Sequence, residues 1–130
     1  MTPQELRERL LTFALSVYKF ARPLFRNAET RDIARQLVRA STGAAANYRA
    51  ASNGRSSREW QAKVGVALEE ADESLFWLTF IRRAQILNED STAIGELQNE
   101  AEQLTRIFGA ICRTARIRRR ARKELRQGTQ

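Results

Sequence analysis

The sequence predicts an all-α protein: a single-domain, antiparallel, up-down-up-down four-helix bundle with a basic C-terminal helical extension. Three observations carry this. Only two prolines and six glycines occur in 130 residues, so little of the chain reads as turn. Four stretches place apolar residues at alternating steps of three and four, the spacing of one helix face. Short connections between these stretches make neighbouring helices antiparallel.

The first helix opens at Thr2, with Pro3 at the first helical position and Glu5 completing a Thr-x-x-Glu capping box. Leu6, Leu10, Phe13, Val17, Phe20 and Leu24 form its seam, and Pro23 kinks or ends it. Thr30 reads as the cap of the second helix, with Asp32 in the first turn and a stripe of Ile33, Leu37, Ala40, Ala44, Tyr48 and Ala51. Between Ala40 and Ala46 only Ala, Ser, Thr and Gly occur, which lets a neighbour approach closely. Ser52-Asn53-Gly54-Arg55-Ser56 is the clearest turn.

Ser56 and Glu59 form a second capping box, starting a third helix that runs to about Asn88, about 45 Å at 1.5 Å per residue. Its stripe is Trp60, Val64, Ala67, Ala71, Leu75 and Leu78. Phe76, Trp77, Phe80 and Ile81 point away from that stripe, so the second half is apolar all round. A small monomer has little protein to cover such a helix, which points to another subunit there. Asn88-Glu89-Asp90-Ser91 is the third connection. Ile94, Leu97, Ala101, Leu104, Phe108, Ile111 and Ala115 are the face of the fourth helix. Residues 1–115 are thus the bundle, and 116–130 a basic arm, either an extension of the fourth helix or partly disordered.

The charge is concentrated. Arg113, Arg116, Arg118, Arg119, Arg120, Arg122, Lys123 and Arg126 face only Glu124, so this segment carries +7 of the net +8. A run of one sign that prefers Arg to Lys differs from an ordinary solvated face. The planar guanidinium suits phosphate because it donates two parallel hydrogen bonds.

Several chemistries are excluded. The chain has no histidine, which removes the usual general base, the Glu-x-x-His di-metal motif and most zinc sites. No Gly-rich phosphate loop follows a strand. Glu69, Glu70, Asp72 and Glu73 form the one acidic cluster, but no second cluster would complete a metal site. Ion pairs to arginines of the second helix or of another subunit, or a solvated face, account for it better. The expectation is therefore no catalytic residues, no metal and no cofactor.

Asn47, among small residues, reads as an amide that fixes helix register, and Arg82 as a side chain whose stem covers apolar surface. Trp60 and Trp77 read as core and interface anchors ahead of base-stacking platforms. Cys112, the single cysteine, reads as a small buried hydrophobe. It cannot form an intramolecular disulfide, and the N-terminus carries acid early with no apolar leader, so a cytoplasmic protein without a signal peptide is expected. No apolar run reaches the length of a membrane span.

The residues Ala34-Arg35-Gln36-Leu37-Val38-Arg39-Ala40-Ser41, Ala46-Asn47-Tyr48-Arg49-Ala50, Ser57-Arg58-Glu59-Trp60 and Ala67-Leu68-Glu69-Glu70-Ala71-Asp72-Glu73-Ser74-Leu75-Phe76-Trp77-Leu78 carry a resemblance. They resemble the bacterial four-helix-bundle family encoded in 23S rRNA intervening sequences, itself similar to the accessory variability protein of diversity-generating retroelements. Many members carry Asn-Ile-x-Glu-Gly where this chain has Asn47-Tyr48-Arg49-Ala50-Ala51. The resemblance implies a homopentameric ring and, for the retroelement branch, binding of nucleic acid and of a reverse transcriptase.

The leading expectation is a non-enzymatic, homo-oligomeric scaffold that binds nucleic acid, RNA or RNA–DNA, through largely sequence-independent phosphate contacts of the arm. The alternative is a protein-interaction module serving as accessory subunit of a reverse transcriptase. Binding to an anionic membrane surface is the weakest reading, because Ile117, Ala121 and Leu125 give a thin apolar face without an aromatic.

Overall fold

In the computed structural model, which describes residues 1–87 and 92–129, the chain is an antiparallel four-helix bundle: α1 (Pro3–Ala21), α2 (Arg31–Ala51), α3 (Ser57–Arg83) and α4 (Thr92–Gly128). The helices stand in a square, α1 against α2, α2 against α3, α3 against α4, and α4 back against α1. The expected connection at residues 88–91 lies outside the described residues.

Local chemistry sets most of the boundaries. At the start of α1 both arms of the capping box form: the Glu5 N–H donates to Thr2 Oγ1 at 3.1 Å and the Thr2 N–H to Glu5 Oε2 at 2.9 Å. Pro23 ends the α-helix and the chain passes through a 3-10 turn, Arg22–Arg26. Thr30 precedes α2 but does not cap it through its side chain, contrary to the sequence expectation. Its hydroxyl donates instead to the Leu24 carbonyl at 2.7 Å, tying the turn to the helix that follows.

Ser56 Oγ caps α3 by accepting from the Glu59 N–H at 3.1 Å. Glu59 reaches the Arg55 N–H at 3.2 Å rather than that of Ser56, so the second capping box is only half formed. α3 ends at Arg83, short of the expected Asn88. Gln85 enters the left-handed region at φ 55°, and the Ile86 N–H turns back to the Ile81 carbonyl at 3.5 Å. This is the hydrogen-bond pattern of a helix stop in which glycine usually supplies the left-handed residue.

Leu10, Val17, Leu37, Leu78, Leu104 and Phe108 are wholly buried, and Tyr48 meets Phe108 edge-on with ring centroids 5.6 Å apart. Ala40 and Ala44 of α2 and Ala67 and Ala71 of α3 are buried, the small residues that close approach of two helices requires. Ser74, not Leu75, takes the buried position between Ala71 and Leu78. Its hydroxyl donates to the Glu70 carbonyl at 2.9 Å, so burial leaves nothing unpaired. Leu75 packs partly buried at the edge of the core.

Polar clamps tie the outer edges. Arg9 Nε donates to Glu100 at 3.0 Å and its Nη2 to Gln103 at 2.9 Å, joining α1 to α4. Arg82 donates to Gln98 Oε1 at 2.7 Å, joining α3 to α4. Asn47 donates to the Gly43 carbonyl of its own helix at 2.9 Å, so it bonds within α2 instead of setting register between helices.

Candidate nucleic-acid interface

The arm is helical. Between Gly109 and Gly128 the sequence has neither glycine nor proline and is rich in Arg and Ala, good helix formers, so α4 runs 37 residues without a break. At 1.5 Å per residue that is about 55 Å. Its last fully buried residue is Phe108, Ile111 and Cys112 are half-buried, and from Arg116 onward every described residue is exposed.

The arm does not project alone along its whole length. In an antiparallel square the start of α3 lies at the same end as the end of α4, and the two enclose a groove of about 770 Å³. Arg118, Arg119, Arg122, Lys123 and Arg126 line one side and Arg58 the other, while Trp60, Gln61, Ile111 and Ala115 line its deeper part. Among the described residues no carboxylate lines it. The N-terminus of α3, the positive end of its dipole, lies at this end of the groove, where Ser57 and Arg58 line it.

The eight arm cations therefore divide. Five line the groove. Arg116 borders a smaller adjoining cavity of about 170 Å³ with Trp60 and Cys112. Arg113 and Arg120, seven residues apart, share the opposite face of α4 by the 100° helical step. None of the eight forms an ion pair among the described residues, where the pairs are Arg9–Glu100, Arg35–Asp32, Arg39–Glu70 and Arg39–Glu73. Cys112 is half-buried, and burial raises its thiol pKa more than nearby Arg116 lowers it, so it stays a protonated thiol at neutral pH.

The acidic cluster splits as well. Arg39 of α2 pairs with Glu73 and, at 3.5 Å, with Glu70, the helix-two partner expected from sequence. Gly43 makes room for this: a Cβ there would stand 3.1 Å from Glu70 Cδ. Burial lifts the Glu70 pKa above its usual value, a shift that Arg39 only partly opposes. Among the described residues no group of side chains has the make-up of a metal site.

On the outer face of α3, Phe76 and Phe80 are 56% and 43% exposed, and with Trp77 they form one aromatic cluster with ring centroids 5.0 to 6.3 Å apart. Trp77 is half-buried and its Nε1 donates to Glu73 at 3.4 Å. Ile81 does not belong with them. It is fully buried, because three residues beyond Leu78 it returns to the inner face. A second exposed apolar strip, Leu11, Leu15 and Tyr18 on α1, does not stand out in the sequence beside the stronger inner stripe of that helix. Arg58 and Trp60 were likewise not associated with the arm. The shared end of α3 and α4 in an antiparallel bundle is the signal that could have joined them.

Four antiparallel helices closed in a square make this a four-helix-bundle protein. The chain belongs to the 23S rRNA-intervening sequence protein family, whose sequence pattern matches residues 4–110. Among solved structures it is similar to a protein of unknown function from the S23 ribosomal protein family of Bacteroides thetaiotaomicron VPI-5482. That likeness has a TM-score of 0.75 at 21% identity, covering 82% of this chain and 97% of the other, and it is one of fold. No curated protein matches the sequence. The family match stops before Arg113, so all eight arm cations lie beyond it. No helix among the described residues is long and apolar enough to cross a membrane.

Proposed function

We propose that the protein is a non-enzymatic, homo-oligomeric nucleic-acid-binding scaffold whose ligand is RNA or an RNA–DNA intermediate, held through phosphates with little regard to sequence. The observation that carries this is the groove between α3 and α4, where, among the described residues, six cations converge and no carboxylate lines the walls. Phosphate contacts of this kind supply affinity without base readout. The exposed Phe76 and Phe80 support self-association, which would bring several such grooves into one particle and multiply the field each polyanion meets.

The test is binding of unrelated RNA oligonucleotides to the wild-type protein and to a variant with Arg118, Arg119, Arg122, Lys123 and Arg126 replaced by alanine. Affinity should fall for every sequence alike, with helix content kept. Undiminished RNA affinity in the variant refutes the reading and transfers the groove to another polyanion, such as an acidic protein.

A further inference from the structure

We infer that the groove takes single-stranded nucleic acid in preference to duplex, with an unpaired base stacked on Trp60 while the flanking phosphates lie on Arg58 and the arm. The inference rests on the proposal that this groove binds nucleic acid, and it names the form of ligand.

Two observations lead to it. The first is width. B-DNA admits one α-helix into its major groove, which is about 12 Å across, and a helix with side chains is itself about 10–12 Å thick. At the level of Ser57 and Trp60 the arm is not one helix but two, α4 with α3 beside it. Packed helices have axes about 8–10 Å apart, so the pair is too broad to enter, and a duplex would meet these cations only with the outside of its backbone. The A-form major groove of double-stranded RNA is narrower still and closed to side chains. A single strand meets no such obstacle. The groove, about 770 Å³ and open along one side, has room for a nucleotide or two at Trp60 while the rest of the strand follows the exposed arm.

The second observation is the content of that volume. Among the described residues Trp60 is the one aromatic lining it, and it borders the adjoining cavity beside Arg116 too. The side chain is half-buried and packed against the core, so it is held in place while part of it stays accessible. A fixed aromatic beside a track of cations is the combination that holds single strands without sequence preference: bases stack, phosphates pair. A duplex keeps its bases stacked on one another and offers Trp60 nothing.

The experiment uses the full chain, a short oligouridine, and the duplex that oligouridine forms with oligoadenine. Trp60→Leu should weaken oligouridine binding by about five- to 150-fold, the span of losses found when one base–aromatic stack is removed, and leave duplex binding as in wild type. Trp60→Phe should keep most of the single-strand affinity. Oligouridine should also quench wild-type tryptophan fluorescence, and the quenching should vanish in Trp60→Phe, where only Trp77 emits. This readout does not depend on how well Trp60→Leu folds. Equal weakening of both ligands by Trp60→Leu, or saturable oligouridine binding without quenching, overturns the inference and leaves the cationic groove standing. A wild-type protein that binds neither form removes both.

Discussion

Replacing Arg118 and Arg122 by alanine takes away two of the six cations that line the groove, while replacing Arg113 and Arg120 takes two from the opposite face of the same helix. The two variants have equal net charge and alter equally exposed stretches of α4, so a protein that merely attracts polyanions would treat them alike. If phosphates occupy the groove, they differ in salt dependence. With all six cations engaged on a single strand, log K should fall against log salt with a slope of about −0.7 × 6, or about −4. The groove variant, with four left, should show a slope of about −3, and the opposite-face variant should stay near −4. Fluorescence anisotropy of labelled oligouridine across a salt series reads both. Neither variant touches the core, so stability should move by no more than about 0.5 kcal/mol per substitution in urea denaturation. Equal flattening in the two variants would show that phosphates ignore the groove.

Three further outcomes follow from the packing. Glu70 has a pKa raised by burial, so its contribution to stability is full below the ordinary value of 4.5 and is lost as pH rises through the folded-state value. The stability of wild type relative to Glu70→Gln should therefore grow as pH falls from neutral to below 4.5, and a relative loss over that range would reverse the assignment. Gln85 holds a left-handed backbone that costs a non-glycine residue about 1–2 kcal/mol. Gln85→Gly, after its own entropic cost of about 0.5–1 kcal/mol, should leave thermal stability unchanged or raised, whereas a fall would contradict that backbone geometry. Phe80→Glu places a charge in the exposed aromatic cluster, and light scattering should show a smaller particle with helix content retained. A wild-type monomer would refute self-association, and an oligomer of unchanged mass in the variant would rule out the aromatic cluster as its contact.

Much of the fold was legible because inner faces repeat. Leu6 through Val17 and Ile94 through Phe108 are buried where their spacing places them. The departures come where local and tertiary demands compete. Thr30 has the composition of a cap, but the Leu24 carbonyl left by the Pro23 turn needs a donor, and the hydroxyl goes there. At the end of α3 no glycine or proline marks the stop, so the left-handed Gln85 left no trace in sequence. Ile81 is read from sequence as turned away from the inner stripe with the neighbouring aromatics, but three 100° steps bring it back close to Leu78, and it is buried. The arm was visible as a charge run. Its division into groove and opposite faces was not, because helix order fixes which ends meet but not how α4 is rotated toward α3.

The unbroken course of α4 also changes what the arm is as a physical object. A detached peptide of this composition would have to nucleate a helix for itself, a step with an equilibrium factor of about 10⁻³. It would do so against like-charge neighbours such as Arg116, Arg119, Arg120 and Lys123, each spaced pair unfavourable by about 0.2–0.5 kcal/mol. In the intact chain the buried turns up to Phe108 serve as the nucleus, and the arm needs only propagation. Its helix is thus borrowed order under electrostatic stress. Bound phosphate or added salt relieves that stress, so the far turns of α4 should wind more tightly when a polyanion is present, and loss of the bundle should melt the arm with it.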